Sequence, residues 1–278
     1  YRKDLFEEAG FPSPPDNGYG WDEFTDYAKQ LTEGEFYGTL FPGKTGHGVF
    51  DHWQGAYFGE GGRNMKVIGT DFRPAFDNEI GRWALQEIYD MYWVHHISPN
   101  PVSLDYPDLP TIFKAQDAAS YRGWGCGEAQ MLLAEYNPLA DKTAIMVPPH
   151  GASDLPSSYF AGWTWAIAAN AQNKEGAWEF MKWVNSKDMQ KKLSGAVPPG
   201  RRSVYTDPEV LARNPQYRAM LKVVESGLVN PQLPEMWEMN EAVGREFHPF
   251  INKERDIDTS MQLAVQGCDT VMREAGYY

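Results

Sequence analysis

The stretch GWTWAIAANAQNKEGAWEFMKWVNSKDMQKKLS, residues 162–194, decides how the rest of the chain is read. Residues 164–169, TWAIAA, form a short apolar run that is too brief for a helix of its own, so it reads as a strand. Asn173-Lys174-Glu175 then opens a helix that places Ala177, Phe180, Met181 and Val184 on one face. A strand handing over to an amphipathic helix is the unit of an α/β sheet with helices packed on its faces.

Outward from that stretch the alternation continues. Toward the N-terminus, Ala118–Tyr121 and Ala144–Val147 read as short strands, with helical sequence at 109–113 and 128–135 between and before them. Ile80, Trp83, Ala84, Ile88, Met91 and Tyr92 mark a long amphipathic helix from Asp77, its expected N-cap, to about Val94. Trp21, Phe24, Tyr27, Ala28 and Leu31 mark another, with Asp22 and Glu23 in the first turn. Gly48-Val49-Phe50 reads as a strand that leads into a helical aromatic segment, DHWQGAYFGEGG. Beyond residue 202 the chain is helical, with segments expected at 208–213, 216–225, 236–251 and 258–274. Ser153–Ser158 is a loop, and no internal repeat is visible.

Composition removes several classes of function. A formal net charge of −13 over 278 residues disfavours nucleic acid and anionic membrane surfaces, which need clustered cations. The longest apolar runs, such as Trp163–Ala169, fall far short of a membrane span, which implies a water-soluble chain. Cys126 and Cys268 belong to no metal-ligand or redox spacing; Cys268 sits on the apolar face of a helix and reads as a buried thiol, and a bridge between the two needs an oxidising compartment. The opening YRKDLFEEAG lies within a helix rather than a leader, so the chain reads as starting inside a longer protein.

One nucleotide-binding pattern occurs, Gly38-Thr-Leu-Phe-Pro-Gly43-Lys44-Thr45. Gly46-His47-Gly48 follows at once and reads as breaking the helix that such a loop needs, so the pattern is assigned to a surface turn. Asp51, Glu60, Glu128, Glu235 and Glu238 lie near aromatics, which keeps a glycoside hydrolase with paired carboxylates as the alternative function. Sequence spacing does not show two carboxyls facing one another across a bond, so no catalytic residue is assigned; the histidines form no metal-binding set, and no cofactor is implied.

Aromatic residues make up 14% of the chain and include ten tryptophans, more than a core needs. Trp53, Trp124, Tyr159, Trp163 and Trp237 stand in or beside loops, where an indole face can meet the C–H face of a sugar. Together they suggest an aromatic-walled cleft.

At this point the order of segments becomes recognisable. YRKDLFEEAGFPSPPDNGYGWDEFTDYAKQLT (1–32), the 162–194 stretch, VPPGRRSVYTDP (197–208) and NPQLPEMWEMNEAV (230–243) follow one another as in the family 1 extracellular solute-binding proteins, the sugar-binding receptors of bacterial ABC importers, and the chain resembles that family over nearly its whole length. The resemblance implies an α/β fold of periplasmic-binding-protein type II, with two lobes joined at a hinge and a ligand captured by closure. Because the family carries a substantial segment before the equivalent of Tyr1, the first lobe is expected to be incomplete here. By the same resemblance residues 1–152 and 203–278 form the second lobe, and 153–202 the remnant of the first. The implied partners are a carbohydrate and a membrane permease, for a monomer in the periplasm or lipid-anchored outside the cell. Carried over by position, the ligand-binding residues are Asp51, Trp53, Trp124, Tyr159, Gly162, Trp163, Arg201 and Trp237. Trp124, Trp163 and Trp237 are expected to stack on the solute, with Asp51 and Arg201 bonding its hydroxyls.

Overall fold

The apolar periodicities become helices in the computed structural model, which describes residues 1–61, 72–124, 128–226, 228–229 and 232–278. The N-terminal half carries α1 (Lys3–Glu8), α2 (Trp21–Leu31), α3 (Gly46–Gly61), α4 (Glu79–Trp93) and α5 (Asp108–Lys114). After a long irregular stretch come α6 (Lys174–Val184), α7 (Lys187–Leu193), α8 (Arg202–Tyr205), α9 (Pro208–Arg213) and α10 (Tyr217–Ser226). The chain ends in two long helices, α11 (Met236–Ile251) and α12 (Ile257–Glu274).

Several local expectations are corrected. Gly48-Val49-Phe50 is not a strand but part of α3, because Gly46 and Gly48 do not interrupt the helix. The cap of α4 is Asn78, whose side chain accepts from the Gly81 amide at 3.0 Å, and not Asp77, whose carboxylate instead holds Arg82 at 2.8 Å. The 128–135 segment makes only a 3₁₀ turn, Ala129–Leu132. Residues 164–169 join no β-bridge among the described residues and stand in or near solvent. Residues 118–121 do pair as expected: Tyr37 with Ala118 and Leu40 with Tyr121 form parallel bridges, closed by Leu40 N to Ser120 O at 3.0 Å and Arg122 N to Leu40 O at 2.9 Å.

The principal core lies between α3, α4, α11 and α12, where Phe50, Trp53, Leu85, Ile88, Val243, Phe247, Met261 and Cys268 are buried. At its centre α3 is enclosed on every side, with its apolar residues spread all round the helix. Close approach at glycine makes this possible: a Cβ on Gly244 of α11 would collide with the Gly46 backbone, and one on Gly46 would lie 2.9 Å from the Glu241 Cα. Cys268 is a free thiol in this core, and burial pushes its pKa up to about 12; Cys126 lies outside the described residues.

A separate apolar cluster joins Val204, Tyr205, Val210 and Tyr217. It is tied to α7, since the Tyr217 hydroxyl donates to the Ser194 carbonyl and Lys191 lies 3.0 Å from Asp207. Val204, Tyr205, Val210 and Tyr217 therefore pack beside 187–197 and outside the principal core. Phe160 N donates to Leu228 O at 2.6 Å, and Phe160 forms a parallel bridge with Val229.

Two outcomes test this packing. Gly244→Ala is expected to lose about 1–3 kcal/mol of stability in urea unfolding through overpacking against α3, and a loss below 0.5 kcal/mol would contradict the close approach. Glu87 on α4 is held protonated to about pH 7, chiefly by burial and then by Asp90 and Asp22. A carboxyl with a raised folded pKa stabilises below its unfolded value and loses that contribution as pH rises through the folded one. Glu87→Gln should therefore melt like the parent below about pH 4.5 and above it in temperature by pH 8; parallel melting curves would refute the assignment.

Candidate functional site

The first turns of α3 organise the site. His47 and Asp51 lie one turn apart and so share a flank of the helix. Around them gathers a row of rings: His47 is 4.7 Å from Trp237 between centroids and 6.2 Å from Tyr106, and Tyr106 lies 4.0 Å from Trp124 at an angle of 33°. Trp237 enters from the first turn of α11, and Trp124 from the segment after the 118–121 pairing. Both indoles are about half exposed, so each retains a free face while its other contacts fix the ring.

Asp51 lies beneath this row and is only 6% exposed. The Tyr106 hydroxyl donates to its Oδ2 at 2.9 Å, and the Tyr159 hydroxyl donates to the same carboxylate. Arg122 donates to the Asp51 carbonyl at 3.1 Å, and its charge, with that of His47, favours the ionised acid. Burial works the other way and prevails, leaving the Asp51 pKa above the usual carboxylate range. Tyr106 is pushed far upward by burial and the neighbouring carboxylate, so its hydroxyl keeps its proton and stays a donor. His52, stacked on Phe41 at 4.3 Å, is held neutral by burial and by Arg122.

The expected site residues divide into two groups. Asp51, Tyr159, Trp124 and Trp237 are brought together with His47 and Tyr106. Trp53 is not at the site: it is fully buried in the principal core, stacked on Tyr57 at 5.1 Å, with its indole N–H on the Gly81 carbonyl at 2.8 Å. Its place on α3 faces α11, on the flank away from Asp51. Gly162 is exposed, and Trp163 stands 99% exposed with no ring contact among the described residues. Arg201 donates to the Asn185 carbonyl at 2.7 Å, at the end of α6, and joins none of the described contacts around Asp51.

His47, Tyr106 and Arg122 escaped the sequence reading. His47 sat in a presumed helix-breaking turn, although its i, i+4 relation to Asp51 becomes a signal once α3 is known to start at Gly46. Tyr106 lies in an irregular segment whose place beside Trp124 only the folded chain reveals.

The nucleotide-loop pattern also needs revision. A paired segment, a loop and a helix do surround Gly43-Lys44-Thr45, so the reason for setting it aside was wrong. The loop amides are nevertheless occupied: Gly43 N and Lys44 N both donate to the Leu104 carbonyl, at 2.9 and 2.8 Å, and the Glu241 carboxylate lies beside Gly46 at the helix start. Neither arrangement leaves a cradle for phosphate.

Against this geometry the comparisons with known proteins are consistent. The mannitol-binding protein of Pseudomonas aeruginosa is 24% identical over 311 residues, which cover 100% of this chain and 67% of that protein. Maltose-bound MalE3 of T. maritima superimposes with a TM-score of 0.86 at 22% identity, covering 97% of this chain and 69% of that one. A solute-binding protein of Agrobacterium radiobacter K84 in complex with ribitol gives 0.82 at 25% identity, covering 97% and 68%. The chain spans about two thirds of the length of these relatives. The fold is thus that of the two-lobed α/β periplasmic binding proteins, here with about half of its described residues in helices. The model of the bacterial extracellular solute-binding proteins matches residues 1–191, and the chain belongs to that family.

Proposed function

We propose that the protein captures a small polyhydroxylated solute, a sugar or a sugar alcohol, and delivers it to the permease of an ABC importer. The observation that carries this reading is the ring row from Trp237 through His47 and Tyr106 to Trp124, built over a buried carboxylate. Half-exposed indoles offer platforms for C–H faces, while Glu241, 46% exposed beside His47, offers an acceptor for solute hydroxyls. Relatives described as binding mannitol, ribitol and maltose support the same class. On this reading the protein binds without catalysis. Asp51 supports that, since its carboxylate already accepts from two tyrosines and is poorly placed to act on a bond.

Trp124 and Trp237 are the stacking residues of this proposal, and Tyr106 is added to them as the ring that braces Trp124. Gly162, Trp163 and Arg201 would reach the solute only from the opposite side of the cleft after closure. The separate cluster at Val204–Tyr217 supports a lobe division near Phe160 and Leu228, with 161–226 as one body. The site of action is outside the cytoplasm, in the periplasm or on a lipid anchor, with the protein as a monomer.

Calorimetric titration against mannitol, ribitol, maltose and tagatose is expected to give at least one saturable heat, with a melting temperature that rises with the logarithm of free solute. Trp124→Ala and Trp237→Ala should each weaken that binding about tenfold or more. Appearance of a hydrolysis product during incubation with maltose, or failure of every sugar and polyol to bind, would reject the reading.

A further inference from the structure

Trp237 stands in the first turn of α11, where a helix is least secured because its leading amides have no partner within it. Glu235 occupies the cap position, and its side chain makes no capping bond. Among the described residues the ring contact of Trp237 is with His47, at 4.7 Å, and more than half of the indole is exposed. The direction of this platform therefore depends on how the start of α11 is held.

The end of α12 supplies a hold. After the helix, Gly276 adopts a φ of +81°, a left-handed turn that glycine takes without steric cost. Its N–H returns to the Arg273 carbonyl at 2.9 Å, and the Tyr277 N–H returns to the Met272 carbonyl at 3.2 Å. Turned in this way, the chain sends the Tyr277 hydroxyl to Glu235 Oε2, donating at 2.9 Å. Both ends of that bond are braced. The Tyr277 ring lies 4.9 Å from Phe72 at 30°, and the next residue is anchored in turn, the Tyr278 hydroxyl donating to Asp269 at 2.7 Å with the Arg73 guanidinium 4.1 Å over its ring. On the other side, the Glu235 carbonyl accepts from Met239 N at 2.9 Å, which ties Glu235 into the turn that carries Trp237.

We infer that Tyr277 is a positioning residue for the solute platform: its hydrogen bond to Glu235 holds the start of α11 from outside, where no side-chain cap holds it from within, and so keeps Trp237 in the ring row. This rests on the solute-binding reading above and extends the site's support to a residue that touches none of its rings.

Calorimetric titration of the purified protein with mannitol, ribitol, maltose and tagatose tests it, together with hydrogen exchange at the amides of residues 237–239. Tyr277→Phe keeps the ring against Phe72 and removes the hydroxyl alone. It is expected to weaken binding about three- to tenfold, the range that one hydrogen bond accounts for, and to speed exchange in the first turn of α11. In a Trp237→Ala background the same change should cost less than about twofold, since both residues act through one platform. Glu235→Gln, which keeps an acceptor oxygen for the Tyr277 hydroxyl, should bind within about twofold of the parent. Unchanged affinity in Tyr277→Phe would overturn the inference, and so would an equal loss in the Trp237→Ala background, which would make Tyr277 a general stabiliser. If the parent binds none of the solutes, the solute-binding reading itself fails, and the exchange rates still decide the clamp, which an unchanged first turn would refute. Binding that Trp237→Ala weakens and Tyr277→Phe leaves untouched defeats the clamp alone.

Discussion

A helix enclosed by protein on every side can be approached closely only where its own side chains vanish, and α3 meets that constraint with glycine. Gly46 lets α11 come down on the first turn, while Gly55 and Gly59 let the 150–160 segment settle on a second flank. Between these lie Phe50, Trp53, Ala56 and Tyr57, which carry the apolar burial of the principal core. The remaining flank carries His47 and Asp51, with Asp51 buried beneath the ring row. The ring row lies where it does because the other directions around α3 are filled.

Burying Asp51 beside that core is costly unless the charge is compensated. Two tyrosine hydroxyls and the nearby Arg122 guanidinium supply the compensation. The same contacts do a second thing: they fix Tyr106 under Trp124. Expectation from sequence placed the Asp51 carboxylate on a solute hydroxyl. The folded chain instead gives it a share in orienting the rings that face solvent, so that an ion which would weaken the core becomes the brace of the aromatic row.

Much of this was legible in residues alone where periodicity is long. The 236–251 helix was read to its observed bounds, and the last helix to within a residue, because each buries one stripe over four or more turns. Reading failed where one residue type serves two purposes. Gly46 and Gly48 were taken as helix breakers, yet in α3 the lost helix propensity of glycine is outweighed by the packing it permits. Trp53 was taken for a cleft wall because it read as standing beside a loop and matched the family's cleft segment, but on α3 its position turns it toward Phe247, 5.4 Å away. Trp124 and Trp237 were singled out from their loop setting and from family order, and the folded chain brings both into one row of rings. His47 and Tyr106 were not singled out, since their meeting depends on segments some sixty residues apart being brought together by the 37–40 and 118–121 pairing. Residues 164–169 have strand character in their composition but no pairing partner among the described residues, and no local signal could have revealed that.

The most direct test of the account is a crystal structure of the protein with its tightest-binding sugar or sugar alcohol. The solute is predicted to lie with carbon faces against Trp124 and Trp237, above a Tyr106–Asp51 hydrogen bond that remains intact. A solute seated elsewhere, for instance in the surface groove between Tyr89, Phe250 and Lys253, with the ring row empty, would contradict it.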